Sequence, residues 1–189
     1  VALELVRQSP EKIHKLILMD TSHHSEPKHI SIKRERQIRE VKKGKLRKIM
    51  MEEHIPNYLA DGSTTGSLSD LCLKMALQLG AKVFMQQSRA LMSRIDQTIT
   101  LQNIEVPTLL MCGKYDRLCN IRTHQKMHDL IKKSSLNVID DAGHLPTLEN
   151  PGKTNRVLKE WLNYFYFQEN TLNLQLSMQI NTFKNFFNN

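Results

Sequence analysis

Two apolar segments in the second half of the chain each end shortly before a polar side chain. Residues 106–112 read VPTLLMC and are followed by Asp116, and residues 136–140 read LNVID and are followed by His144. Short apolar runs of this kind are typical of strands buried in a parallel sheet. The loops at the C-terminal ends of such strands converge on one crevice. The pattern therefore predicts a sheet that carries an acid and a histidine at the same edge.

The order of elements along the chain predicts an α/β fold. Residues 16–19 form a short apolar run that indicates another buried strand. Residues 23–100 contain no second run of that type and show helical patterns instead, with Gly80 separating helices over about 71–79 and 81–95. Helices are also predicted after the second and third strands. Strands that alternate with helices imply a parallel sheet with helices packed on its faces.

This order divides the 189 residues into three parts. Residues 1–22 and 101–168 are expected to form the sheet and its helices, and 23–100 to form a helical insertion. Residues 169–189 are rich in Asn and Gln, and from Leu172 to Ile180 apolar and polar residues alternate. That alternation is compatible with an edge strand, a disordered tail or an aggregation-prone segment.

The net charge of +8 is concentrated in one part of the insertion. Residues 33–48 hold nine Lys or Arg, with apolar residues at helical spacing within and after them. An amphipathic helix with a solvated basic face explains this pattern. The alternative is a docking site for an acidic polymer or membrane surface.

Asp116 and His144 are the candidate catalytic residues. A histidine can accept a proton near neutral pH and return it to a leaving group, and a carboxylate at its other ring nitrogen fixes the tautomer. Taken singly, an Asp in a turn or a His after a glycine has an ordinary structural explanation. Their joint placement after two successive strands favours an orienting acid, Asp116, and a general base, His144.

Residues 106–162 closely resemble the C-terminal part of α/β-hydrolase family proteins that carry a cap domain. The family pattern is an apolar strand ending in Gly-x-x-Asp, then Ala-Gly-His, Glu-x-Pro and a final helix with Trp-Leu. The matching residues here are Gly113 with Asp116, Ala142-Gly143-His144, Glu149 with Pro151, and Trp161-Leu162. Residues 1–20 resemble the helix after the family's nucleophile elbow and the next strand, and 23–100 fall where the family inserts its cap.

The resemblance implies a partial α/β-hydrolase sheet: its last three strands with packing helices and a helical cap insertion. It also implies a serine-type hydrolase for carboxylic esters or related small apolar substrates, to which this chain contributes the triad Asp116 and His144. No Gly-x-Ser-x-Gly occurs in the sequence, so the elbow is expected just before Val1 and the chain is expected to be inactive alone. The alternative is a non-catalytic remnant or binding module whose basic cap helix contacts an acidic partner.

Several expectations about ligands and partners follow from this interpretation. No cofactor and no metal are implied, because nucleophile, base and oxyanion hole suffice for acyl transfer. The substrate is a small molecule bound by the full-length parent, and no nucleic acid partner is expected. A sheet cut at the elbow leaves an exposed edge through which chains are expected to associate.

Three other groups are weaker candidates. Asp20 also follows a strand, and some superfamily members place the triad acid there, but we favour Asp116. His124 and His128 lie four residues apart and could bind a metal, but no third ligand accompanies them, and an exposed helix face explains them better. Cys119, close to Asp116, lacks an elbow and is expected to be a loop thiol.

Cysteine usage and hydropathy bear on the compartment. The three cysteines Cys72, Cys112 and Cys119 match neither a disulfide framework nor a zinc site. No apolar run is long enough to span a bilayer, and no signal peptide is visible. The expectation is a reduced, cytoplasmic chain.

Overall fold

A three-stranded parallel sheet organises the fold, as the sequence predicts. The computed structural model describes residues 1–61 and 66–164. The strands are β1 (Leu16–Met19), β2 (Thr108–Gly113) and β3 (Ser134–Ile139), in the order β1-β2-β3. In the sheet register Leu18 pairs with Leu110, which pairs with Leu136. All six residues of β2, the central strand, are buried.

Helices precede, separate and follow the strands. The helix α1 (Ala2–Gln8) and a 3₁₀ turn (Pro10–Lys12) come before β1. Between β1 and β2 lie α2 (Lys28–Lys42), α3 (Leu46–Ile49), a π-helical turn (Met50–His54), α4 (Ile55–Tyr58), α5 (Ser67–Met92) and α6 (Thr98–Gln102). The helix α7 (Ile121–Leu130) joins β2 to β3, and α8 (Pro146–Glu149) follows β3.

The sheet and the helices α1, α6 and α7 share one hydrophobic core. Leu16 and Leu18 of β1 and Leu110 of β2 face this core from the sheet, since alternate strand residues point to the same side. The helices and the loop after α6 supply the remaining members, which are Leu3, Val6, Leu101, Ile104, Met127 and Ile131. This packing fixes the strands whose C-terminal ends carry Asp20, Asp116 and the loop to His144.

The helical region between β1 and β2 contains a second core. Its buried members are Val41, Leu46, Ile49, Met50, Ile55, Leu59, Cys72 and Leu73. The prediction of an amphipathic basic segment is therefore confirmed, but as two helices, because the chain turns at Gly44 with a φ of +83°. A φ of +81° at Gly80 likewise produces the predicted break, here a kink inside α5. Within the described residues, 23–100 contain no strand.

Contacts divide the chain into two compact units, the first of which is Val1–Pro151. In the second unit the described residues continue a helix, α9, that runs from 151 to 164. The predicted helix after Asn150 is thus confirmed, whereas the alternating segment around Leu172 to Ile180 and the tail 169–189 lie outside the described residues. In the part of the chain that is described, no helix combines the length and the hydropathy needed to cross a membrane.

Candidate active site

Asp116 occupies the loop that follows β2, and its own loop holds it in place. The carboxylate oxygen Oδ1 accepts hydrogen bonds from the backbone N–H groups of Leu118, at 2.8 Å, and Cys119, at 2.9 Å. Asp116 is only 4% exposed. With Oδ1 occupied by the loop, Oδ2 is the oxygen directed to another partner.

That partner is His144, in the loop after β3. The ring nitrogen Nδ1 of His144 lies 2.9 Å from Oδ2 of Asp116. An ionised carboxylate can only accept, so Nδ1 carries the proton and Nε2 is the nitrogen with a lone pair. The backbone N–H of His144 donates to the carbonyl of Tyr58, at 2.7 Å. The arrangement gives a histidine whose tautomer suits a general base.

The two groups shift each other's pKa toward the charged pair. Burial is the largest influence on each: it raises the pKa of Asp116 and lowers that of His144. Their mutual hydrogen bond acts in the opposite direction and prevails, with help from the Leu118 and Cys119 amides at Asp116. The net result is a lowered pKa for Asp116 and a raised pKa for His144. His144 is thereby better able to hold a proton once it has accepted one.

Asp20, the other carboxyl at this edge, has a different role in the structure. Its Oδ1 accepts the backbone N–H of Gly113 at 2.9 Å, which ties the end of β1 to the end of β2. Burial raises the pKa of Asp20 to about 7, and the nearby charge of Asp116 adds to the effect. The carboxylate that accepts the hydrogen bond from Nδ1 of His144 is that of Asp116 and not that of Asp20.

Asp20 should make the chain less stable as the pH rises. Its folded pKa of about 7 lies above the value of 3.8 for a free side chain, so its contribution to stability is complete below pH 4 and is lost as the pH rises to 7. We expect Asp20→Asn to flatten this dependence, with at most about 4 kcal/mol at stake for three pKa units. Urea unfolding of both proteins at pH 5 and pH 8 measures it. If the unfolding free energies of the wild-type and Asp20→Asn proteins changed by the same amount between the two pH values, the raised pKa of Asp20 would be contradicted.

The expectation that His124 and His128 lie on an exposed helix face is wrong for His124. That residue is fully buried, accepts the N–H of Thr21 at Nε2 over 3.3 Å and donates from Nδ1 to the carbonyl of Asn120. His128 contacts Ser134 instead, through Nδ1 at 2.7 Å. The two rings thus have separate partners. Sequence spacing missed this because the partners of His124 come from the loop after β1 and the start of α7.

Cys119 lies beside Asp116 and His144, and its surroundings favour the protonated thiol. Asp116, Cys119 and His144 each place one potential metal-ligand atom within 4.8 Å of the others. Burial raises the pKa of the Cys119 thiol to about 12, and the charge of Asp116 contributes. A thiol that stays protonated is neither a good nucleophile nor a good metal ligand. The chemistry of these donors therefore favours a hydrogen-bonded pair of Asp116 and His144 over metal binding.

Two residues that the sequence did not single out surround His144. The ring of Tyr58 stacks on the imidazole with centroids 6.0 Å apart, and the carboxylate of Glu149 accepts the N–H of Gly143 at 2.8 Å. Glu149 was visible only as part of a motif, and Tyr58 lies in the helical region, 86 positions before His144. Both residues meet their partners through tertiary contacts, which the hydrophobic periodicity of the sequence does not predict.

Known proteins resemble this chain in sequence and fold. No family model matches it. A proline iminopeptidase of Saccharolobus solfataricus is 35% identical over 71 residues, which are 38% of this chain and 23% of that protein. A thermophilic esterase from Thermogutta terrifontis superposes with a TM-score of 0.80 at 25% identity, over 87% of this chain and 61% of the esterase. An esterase from Exiguobacterium antarcticum gives 0.72 at 22% identity, over 86% and 62%.

The parallel sheet, its flanking helices and these structural relatives define an α/β-hydrolase fold, of which the described residues form a part. In sequence and in fold the chain is therefore similar to α/β-hydrolases. It spans about three fifths of the length of the esterase chains that it matches.

Proposed function

We propose that this chain supplies the acid and the base of a serine-type hydrolase acting on a carboxylic ester or a related small apolar substrate. The observation that carries the proposal is the 2.9 Å contact between Nδ1 of His144 and Oδ2 of Asp116 at the C-terminal edge of the sheet. The structural relatives that are esterases support the substrate class.

In this proposal His144 transfers the proton twice. Its Nε2 accepts the proton of an attacking hydroxyl, and the imidazolium that forms is stabilised by Asp116 and then protonates the leaving group. Residues 1–189 contain no Gly-x-Ser-x-Gly, so the nucleophile and the oxyanion donors belong to another segment of the hydrolase. No step requires a metal or an organic cofactor.

Residues 23–100 act as a cap over this site in the proposal, and 1–22 with 101–168 belong to the catalytic core. A cavity of about 350 Å³ lies beside His144, between the helical region and the loop after β3. Among the described residues, no Lys, Arg, Asp or Glu lines it; the lining includes Met50, Tyr58, Met75, Leu79 and Phe84. A cavity of this size and polarity suits an uncharged, apolar part of a small substrate.

The basic segment 33–48 gives less support to a binding module. Six of its nine Lys and Arg side chains lie within 4.0 Å of a glutamate carboxylate. The acids are Glu26, Glu40, Glu52 and Glu53. Their charges offset much of the local positive charge, which weakens attraction to an acidic partner.

A fluorophosphonate probe tests the proposal, because it labels only a serine that an adjacent base activates. We expect the 189-residue chain to remain unlabelled and a longer product of the same gene, with an elbow upstream of Val1, to be labelled at that elbow. Mass spectrometry of the tryptic peptides identifies the site. Labelling of a serine within the 189 residues, or no labelling of an elbow-containing product, would overturn it.

A further inference from the structure

Glu149 is positioned to hold the loop that carries His144. Its Oε2 accepts the backbone N–H of Gly143 at 2.8 Å and that of Leu145 at 3.3 Å, the residues on either side of His144. Its Oε1 accepts the N–H of Ala60 at 2.6 Å. One carboxylate therefore satisfies three backbone donors, and charge-assisted bonds of this type are stronger than neutral ones.

The same two segments also touch directly. The backbone N–H of His144 donates to the carbonyl of Tyr58 at 2.7 Å. Gly143 lies so close to this segment that a Cβ on it would come within 2.8 Å of both Ala60 N and Tyr58 O. The backbone on both sides of His144 is thus fastened to residues 58–60, and Glu149 supplies three of the fastening bonds.

We propose that Glu149 is a positioning residue. It holds His144 within hydrogen-bond distance of Asp116 and connects residues 58–60 of the helical region to the histidine loop. The role rests on the proposed function, since His144 must be the base for its position to matter in catalysis. Asp116 needs no such help, because its own loop donates two N–H groups to it. The histidine loop receives the equivalent support from a residue on α8.

The charge of Glu149 has a second consequence for His144. The carboxylate charges of Asp116, Asp20 and Glu149 all raise the pKa of His144. Removing one of these charges should therefore make protonation of His144 less favourable. The Nδ1–H resonance of His144, which reports its contact with Asp116, separates a positioning role from this effect of charge alone.

NMR of the 189-residue chain tests this without any need for hydrolase activity. We expect Glu149→Gln to weaken proton binding at His144 by roughly threefold, the order expected for one nearby unit charge in a partly solvated site. We also expect the Nδ1–H resonance to shift and the Ala60 and Gly143 amides to exchange about tenfold faster. The Hε1 resonance of His144, assigned by its loss in His144→Gln, follows the titration.

Two further variants separate the possible outcomes. Glu105→Gln makes the same charge change at an exposed position before β2, far along the strand from the site, and should leave His144 unchanged. Glu149→Asp keeps the charge but has a shorter side chain, so it should alter the Nδ1–H resonance of His144 with a smaller change in proton affinity. If circular dichroism shows Glu149→Gln to be unfolded, Glu149→Asp is the variant that tests the proposal. An unchanged Nδ1–H resonance and titration in a folded Glu149 variant would overturn the proposal. Failure of the fluorophosphonate experiment alone would overturn only the hydrolase assignment.

Discussion

Replacing His144 by alanine should remove nearly all turnover of a short-chain nitrophenyl ester in a form of the protein that also carries the nucleophile. We expect kcat/KM to fall by at least about a thousandfold, because the nucleophile loses the base that activates it and the leaving group loses its acid. Asp116→Asn should lower kcat/KM by a similar factor, since an amide at that position favours the wrong tautomer of His144. Steady-state kinetics with purified protein measures both.

His128→Ala is the matched control for this experiment. His128 lies on α7 and bonds to Ser134, the first residue of β3, at the end of the sheet opposite the site. Its removal should leave kcat/KM within about twofold, the range usual for surface changes. Turnover that survives in His144→Ala while circular dichroism shows a folded protein would remove the base from the mechanism.

The sequence predicted the sheet well because its strands coincide with short apolar runs. The run at 16–19 and the apolar segments that lead to Asp116 and His144 read as strands without any help from tertiary structure, and all three are present. The break at Gly80 was equally predictable, because the helical pattern is interrupted there. The turn at Gly44, which divides the basic segment into two helices, was not predicted. The rule that loops converge at the C-terminal ends of parallel strands then placed Asp116 and His144 at one edge.

The environment of His144 could not be predicted in the same way. Tyr58 lies on α4, in a different part of the chain from the histidine loop, and its ring contacts His144 through tertiary structure. Glu149 accepts a hydrogen bond from the backbone N–H of Ala60, 89 residues away in sequence, as well as from nearby residues. His124, expected on an exposed face, is buried because the loop after β1 folds over it. Such contacts depend on how elements meet, which hydrophobic periodicity does not encode.

Gly113 is the residue at which the fold and the site depend on each other most closely. It ends β2, donates its N–H to Asp20 and accepts the N–H of Asp116 over 3.2 Å. A Cβ at this position would lie 1.9 Å from the carbonyl oxygen of Gly143 and 2.5 Å from that of Ala142. Both neighbours are backbone atoms in the loop that leads to His144, so they cannot turn aside as a flexible side chain would.

Gly113→Ala should therefore lower the free energy of unfolding by at least about 3 kcal/mol, at the upper end of what overpacking costs. For a chain of this size that corresponds to a fall of roughly 6–12 °C in Tm. The histidine loop must move to admit the methyl group, so the Nδ1–H resonance that reports the contact between His144 and Asp116 should shift or disappear as well. Thermal unfolding and NMR on the same samples measure the two effects.

Gly152→Ala makes the identical chemical change where there is room for it. Gly152 is exposed on α9, and none of the described residues has a heavy atom within 4 Å of a Cβ placed there. The substitution should therefore leave Tm unchanged or raise it slightly through helix propensity. If Gly113→Ala were as stable as Gly152→Ala, the two loops could not be as close as the structure has them. If Gly113→Ala were destabilised but the Nδ1–H resonance of His144 did not shift, the structure would accommodate the methyl group without moving the histidine loop. The position of His144 would then not depend on the close approach of its loop to β2.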